Sequence, residues 1–248
     1  MSNYSKIAAI VLAAGKGTRM GSSIPKVLLQ IGGKTLVTHT LDKLQVVGIN
    51  HIYIVVGFQK NEVKKILDKK WNFIDQKKML GTGDAVKKAL RHIPKEVDKI
   101  LVINSDDALF YQPKTLTEII HRYLKSKAKM TILTSIQKGV DISGRVIRNE
   151  IGKIIEIKPN SQMSEEELKQ NNEVVCGLYI FDRDWLEKEL PKIKPGKKGE
   201  YNITSLIDIA LQFNLLQDII LSNPDEWRSI NTPREYKNAK NLWQKLYD

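Results

Sequence analysis

The sequence predicts an α/β fold with a doubly wound, mostly parallel sheet, and three observations carry that prediction. Apolar, β-branched runs recur at residues 6–14, 51–57 and 100–104, the pattern of strands buried on both faces. Segments with helical spacing lie between them, and this alternation gives parallel strands covered by helices. The first run ends in a glycine-bearing, cationic loop, and ligands in such sheets sit beyond the C-terminal ends of the strands.

The first strand, 6–14, delivers the loop Gly15-Lys16-Gly17-Thr18-Arg19-Met20-Gly21. A P-loop needs glycine five residues before its Gly-Lys pair, where this chain has Ile10. A dinucleotide fingerprint needs glycine at its sixth position, where Met20 stands. What is left is a flexible turn whose backbone N–H groups can approach a polyphosphate, crossed by Lys16, Arg19 and Lys26. Residues 36–47 follow as a helix, with Leu36, Leu41, Leu44 and Val47 on its spacing and Gly48 as its stop. A strand at 51–57, a lysine-rich helix at 61–70, a strand at 71–76 and a helix at 83–92 come next. A strand at 100–104, a helix at 115–125 and a strand at 130–136 continue the rhythm. The segments after Leu12, Phe73 and Ile103 therefore meet at one cleft.

Beyond Lys138 the pattern changes to strands separated by polar turns. Residues 144–148 and 152–159 read as a hairpin turning at 149–152, 161–172 as a polar, exposed excursion, and 174–181 as a strand. Thr232 to Glu235 is a capping box with Pro233 at the first helical position. The helix it opens carries Ala239, Leu242, Trp243 and Leu246 on one packing face.

Composition narrows the function classes. At 248 residues the chain can bury a large core. No apolar run reaches the ~20 residues that span a bilayer, and the N-terminus has no cleavable apolar signal, so a cytoplasmic protein without a membrane partner is expected. The lone Cys176 excludes an internal disulfide, and His39, His51, His92 and His121 have no metal-ligand spacing. The net charge of +12 is spread as lysines over the predicted helices, with no compact basic block interleaved with aromatics. A solvated surface that favours anionic substrates is expected, not a nucleic-acid partner.

Two further segments carry chemistry. Asn104-Ser105-Asp106-Asp107 puts carboxylates just beyond an apolar strand, poorly placed for packing and well placed for a metal; either aspartate can serve. Gln76 ends a strand before the glycine turn Gly81-Thr82-Gly83, and an amide can donate to a carbonyl and accept from a ring N–H together.

The run from Leu12 to Arg19, with Pro25-Lys26-Val27-Leu28 after it, resembles the signature of the sugar-1-phosphate nucleotidyltransferases, the nucleotide-sugar pyrophosphorylases. The likeness is strongest to the uridylyltransferase domain of GlmU-type enzymes, which make UDP-N-acetylglucosamine. It implies a Rossmann-like nucleotidyltransferase fold of GT-A type in a single domain, 1–248. Within it, 1–137 would be the nucleotide-binding half, 138–230 a smaller β-rich sugar-binding or lid half, and 231–248 a helix packing back. The implied reaction is Mg²⁺-dependent transfer of a nucleotidyl group from UTP to a sugar-1-phosphate, N-acetylglucosamine-1-phosphate first, by a monomer or small homo-oligomer. By position, Leu12, Ala13, Ala14, Gly15 and Gly17 would hold the nucleotide, Arg19 and Lys26 would be the catalytic cations, and Gln76, Gly81 and Thr82 would read the base. Asp106 and Asn231 would bind the metal, Gly144, Glu156, Val175 and Glu200 the sugar, and Lys158 the sugar phosphate.

The chain departs from the pattern at Asp84, where a histidine is usual, at Met79, where a second glutamine is common, and at Asn202, which replaces a tyrosine. Val175 stands where the N-acetylglucosamine enzymes carry asparagine, and with the run Glu156 to Pro159 it is similar to the glucose-1-phosphate thymidylyltransferases. A glucose-1-phosphate thymidylyl- or uridylyltransferase, a cytidylyltransferase of isoprenoid or polyol type, and an inactive pyrophosphorylase-like regulatory subunit are the alternatives. No hexapeptide repeats follow the last helix, so an acetyltransferase half and the trimer built on it are expected to be missing.

Overall fold

A computed structural model describes residues 4–68, 70–137, 144–196 and 199–247, so the expected boundary at Lys138, along with Lys69 and Lys198, lies outside the described residues. The chain opens with β1 (Ile7–Ala13), the short pair β2 (Gln30–Ile31) and β3 (Lys34–Thr35), and α1 (Leu36–Val46). It alternates through β4 (His51–Val56), α2 (Lys60–Ile66), β5 (Asn72–Asp75), α3 (Thr82–Leu90), β6 (Lys99–Asn104), α4 (Pro113–Lys125) and β7 (Met130–Ile136). After these come β8 (Gly144–Arg148), β9 (Ile154–Pro159), α5 (Glu165–Gln170), β10 (Glu173–Asp182) and α6 (Arg183–Glu189). The last elements are α7 (Ser205–Gln212), β11 (Leu216–Ile220) and α8 (Pro233–Tyr247).

Among the described residues nine strands form one sheet, ordered β11-β7-β10-β6-β1-β4-β5, with the β8–β9 hairpin attached through β10. β1 pairs in parallel with β4 and β6, β4 with β5, and β7 with β11, whereas β10 runs antiparallel between β6 and β7. Alternate residues of β1 enter different cores, as the two-residue period of a strand requires. Ala9, Val11 and Ala13 pack with Val37, Leu41 and Leu44 of α1 and with Leu116, Ile119 and Ile120 of α4. Ala8 and Ile10 pack with Val86 and Ala89 of α3, Leu186 of α6 and Leu206 of α7 on the opposite face. The sheet is thus covered on both sides, which is why β1 has no polar alternation.

A third, smaller core lies beside the sheet. Met20, Leu29, Ile31, Leu36, Leu109, Phe110, Ile230 and Ala239 bury one another, with Tyr236, Leu242 and Trp243 packed against them. The indole of Trp243 covers Gly32, where φ is +57° and an added Cβ would collide with the ring. This core ties α8 to the loops that follow β1 and β6.

Several boundaries differ from expectation for local reasons. The helix expected over 61–70 stops at Ile66 because Leu67 turns extended and is buried, and the Asp68 carboxylate then accepts the Lys70 N–H at 3.2 Å. The excursion at 161–172 contains the helix α5, whose Ser164 and Glu167 form a reciprocal capping box. The C-terminal half is not only strands and turns, since α6 and α7 cover one face of the main sheet. Leu246 is 51% exposed, and the packing face of α8 runs instead from Tyr236 through Ala239 to Leu242 and Trp243. The Thr232 capping box is present as expected, with Glu235 N–H donating to Thr232 Oγ1 at 3.2 Å and Thr232 N–H to Glu235 Oε2 at 2.8 Å. The 149–152 turn is also present, closed by Gly152 N–H to the Asn149 carbonyl at 2.9 Å.

Candidate active site

The loops leaving the C-terminal ends of the parallel strands bond to one another. Phe58 N–H donates to the Ala14 carbonyl at 3.0 Å, Gln76 N–H to Val56 at 2.8 Å, and Ser105 N–H to Leu12 at 3.2 Å. The segments after β1, β5 and β6 therefore do share one edge.

At that edge Lys26 joins residues far apart in sequence. Its ammonium donates to Asn231 Oδ1 at 2.8 Å and forms a short ion pair with Asp106 Oδ2. Gly17 makes room for it, because φ is +60° there and an added Cβ would sit 2.9 Å from Lys26 Cβ. Gly15 is open, with nothing within 4 Å of an added Cβ, so its backbone stays approachable. Arg19 is exposed in a single 3-10 turn and makes no ion pair among the described residues. Asn231 is fixed by the start of α8: its N–H donates to Glu235 Oε2 at 2.7 Å and its Nδ2 to Ser229 Oγ at 2.6 Å, which leaves Oδ1 for the cation.

The two aspartates after β6 have different surroundings. Asp107 is buried, its Oδ2 accepts Asn104 Nδ2 at 2.8 Å, and the Gly177 N–H also bonds to it. Burial, followed by the charge of Asp106, pushes its carboxyl above the usual carboxylate range. A Cβ on residue 177 would collide with both Asn104 and Asp107, so the glycine there, within the irregular stretch of β10 between Val175 and Tyr179, leaves that pair its space. Asp106 instead meets the Lys26 ammonium.

A carboxylate oxygen and an amide oxygen thus converge on one positive charge. Mg²⁺ uses hard oxygen donors of this kind, with one or two carboxylates and the rest of its shell from water and phosphate. Asp106 and Asn231 fit such an ion. Among the described residues no group of three acidic, histidine or cysteine side chains forms a fuller cage.

On the β5 side, Gln76 is buried and its Nε2 donates to the Gly81 carbonyl at 3.0 Å and to Asp84 Oδ2 at 2.8 Å. The turn at Gly81 is held by a distant segment: Gly83 N–H reaches the Tyr201 carbonyl at 2.7 Å, Tyr201 N–H the Leu80 carbonyl at 2.7 Å, and Ile203 N–H the Thr82 hydroxyl at 2.9 Å. The Thr82 hydroxyl therefore accepts from the segment that follows Glu200 and ties it to this turn. An added Cβ at Gly81 would meet the Tyr201 carbonyl at 2.6 Å.

The remaining expected residues lie on the β8–β9–β10 side. Gly144 opens β8 opposite Pro159, and Val174 of β10 pairs with Arg145, which places Val175 beside the hairpin. Lys158 is paired with Glu167 of α5 at 2.6 Å. Glu156 is exposed and close enough to Asp208 of α7 to add to the upward shift that burial gives that carboxyl. Sequence reasoning missed Asn104, Gly177 and Lys43 as parts of the site. Lys43 of α1 donates to the carbonyls of Ala108, at 2.8 Å, and Leu109, and Thr40 Oγ1 donates to the Ser105 carbonyl at 2.8 Å, so one helix clamps the segment that carries Asp106. A glycine inside the apolar β10 run was the signal for Gly177; Lys43 left none.

No helix among the described residues is long and apolar enough to cross a membrane. Among curated proteins, the bifunctional protein GlmU of Clostridium novyi is 34% identical over 236 residues, 94% of this chain and 51% of that protein. GlmU of Lactococcus lactis subsp. cremoris is 39% identical over 202 residues, 81% of this chain and 44% of that protein. The chain spans about half the length of the curated relatives it matches. Among solved structures, a Bacillus anthracis protein assigned as a glucose-1-phosphate thymidylyltransferase, crystallised with sucrose, superposes with a TM-score of 0.81 at 22% identity, covering 98% of this chain and 97% of that one. That likeness shows the shared fold. The family described as nucleotidyl transferase matches residues 8–245, from the second residue of β1 to within two residues of the end of α8, and this chain belongs to that family.

Proposed function

We propose that this protein transfers the uridylyl group of UTP to a sugar-1-phosphate, N-acetylglucosamine-1-phosphate foremost, giving a nucleotide-sugar and pyrophosphate. The observation that carries the reading is the Lys26 ammonium held between Asp106 and Asn231, three residues from three loops assembled at the edge where the sheet's ligands bind.

The chemistry asks little of a protein base. The sugar phosphate presents an oxygen that is already ionised; it forms a bond to the α-phosphorus of UTP while the α–β bridging bond breaks, and pyrophosphate leaves with the electron pair. Alignment of the two anions can supply ~7–11 kcal/mol of such a barrier. The backbone of Leu12, Ala13, Ala14, Gly15 and Gly17 cradles the triphosphate, Arg19 and Lys26 offset its charge, and Gln76 with Gly81 and Thr82 reads the base. Gly144, Glu156, Lys158, Val175 and Glu200 line the sugar-phosphate side. Asp106 and Asn231 would hold Mg²⁺, and Asp107 holds Asn104 and β10 in place. When bound, the ion neutralises phosphate charge and orients the triphosphate.

Val175 favours a second reading for the sugar alone. It presents no amide to an acetamido group, so glucose-1-phosphate is the runner-up acceptor. Pyrophosphate release measured for UTP, dTTP and CTP against N-acetylglucosamine-1-phosphate, glucose-1-phosphate and galactose-1-phosphate tests the proposal. Turnover confined to UTP with the acetylated sugar is expected; turnover with a plain hexose phosphate favours the runner-up, and CTP alone overturns the uridylyl reading.

A further inference from the structure

Gln76 follows directly on β5, its amide nitrogen against two groups, the Gly81 carbonyl at 3.0 Å and Asp84 Oδ2 at 2.8 Å. A carbonyl and a carboxylate only accept, so the amide must turn its NH₂ to them; the chemistry of the partners fixes this orientation. Asp84 cannot swing away freely, because Lys88, one helical turn on, takes its other oxygen. It also sits in the first turn of α3, where negative charge is favoured by the helix dipole.

The consequence falls on the atoms that remain. Gln76 Oε1 meets no donor and Gly81 N–H meets no acceptor among the described residues. The turn therefore offers one fixed acceptor and one fixed donor, bridged by the bond between Gln76 and Gly81. Uracil and thymine present N3–H beside the C4 carbonyl, which matches that pair. Cytosine presents a bare lone pair at N3 beside an amine, so in the same placement acceptor would face acceptor and donor would face donor.

We propose that Asp84 is a specificity-determining positioning residue that, with the Gly81 carbonyl, locks the Gln76 amide with its oxygen outward and so selects imide bases, uracil or thymine, over cytosine. The inference rests on the base-reading role proposed above for Gln76 and Gly81. Asp84→Asn keeps the shape but removes the obligate acceptor: the new amide can turn either way, and Gln76 can turn with it. Asp84→Glu keeps a carboxylate.

Binding of UTP and CTP, each with Mg²⁺, is measured by titration calorimetry for the wild-type chain, Asp84→Asn, Asp84→Glu, Lys88→Met and Gln76→Ala, with circular dichroism confirming each fold. Asp84→Asn is expected to cut the UTP-over-CTP ratio about tenfold, the worth of one hydrogen bond, and Asp84→Glu to stay within about twofold of wild type. If Asp84→Asn does not fold, Lys88→Met, which loosens the same carboxylate, is expected to lower the ratio about threefold. An unchanged ratio in the variant read overturns the proposal, as does an equal fall in Asp84→Asn and Asp84→Glu. Gln76→Ala separates the two levels. If it leaves the ratio intact, the base-reading role fails and the inference with it; if it abolishes the ratio while Asp84→Asn does not, only the role of Asp84 fails.

Discussion

Gly177 shows how one residue without a side chain can set the geometry of a site. Its N–H holds Asp107, and any Cβ there would enter the space of Asn104 and Asp107. Gly177→Ala is expected to cost about 2–4 kcal/mol, the range for overpacking combined with disruption of a buried polar pair, read as a lower urea midpoint with an unchanged slope. Lys43 makes a second residue-scale prediction. Burial is the leading cause that brings its amine down to about 8, against the opposing pull of Asp42 and Glu226. In the unfolded chain a lysine titrates near ~10.4. Between those values the unfolded state binds more protons, so this residue's contribution to stability is fully present above the upper value and is lost as pH falls through the lower one. Unfolding free energy should therefore rise from about pH 8 to ~10.4 more steeply in the wild type than in Lys43→Met. Parallel pH profiles would show that Lys43 does not carry the effect.

At the scale of elements, α8 is the strut that returns Asn231 to the sheet edge. Trp243 makes it one, packing 4.7 Å from the His39 ring and 4.3 Å from Tyr247 while covering Gly32. Burial lowers the pKa of the His39 imidazole below its ordinary value, against the opposing bond that it makes to the Ile31 carbonyl at 2.8 Å. Trp243→Ala is expected to cost roughly 2–3 kcal/mol, less than a fully buried tryptophan, and to raise several-fold the Mg²⁺ concentration for half-maximal activity. Earlier proteolytic cleavage within α8 would accompany it. Elements also differ in how plainly the sequence announces them. β1 is legible because burial on both faces leaves an unbroken apolar run. β11 is not, since Gln217 and Asp218 find their partners across the sheet, in Thr131 at 2.9 Å and Arg148 at 2.7 Å, and local pattern carries no trace of such partners. The Ser164 and Glu167 capping box appears only in the structure, because the polar, acidic run around it reads from sequence as an exposed excursion.

Across the whole molecule the site is a product of long-range closure. Lys26 and Asn231 are 205 positions apart and meet because the small third core fastens the last helix over the loops of the first and sixth strands. The candidate residues near β1 and β6 could be located from sequence because an apolar strand points to its own end. The coupling of the 201–203 segment to the Gly81 turn could not, because it consists of two backbone–backbone hydrogen bonds and one from the Ile203 N–H to the Thr82 hydroxyl, between stretches with no shared pattern. On the proposed function, Lys26, Asp106 and Asn231 form one metal-assisted transfer centre. Its most direct test is pyrophosphate release from UTP and N-acetylglucosamine-1-phosphate by the wild-type chain and by Lys26→Met, Asp106→Asn and Asn231→Ala, each with Mg²⁺ and with EDTA. The account predicts release by the wild type that EDTA abolishes, and turnover lowered about 10²–10³-fold in each folded variant. Release that survives EDTA, or variants that turn over like the wild type, would contradict it.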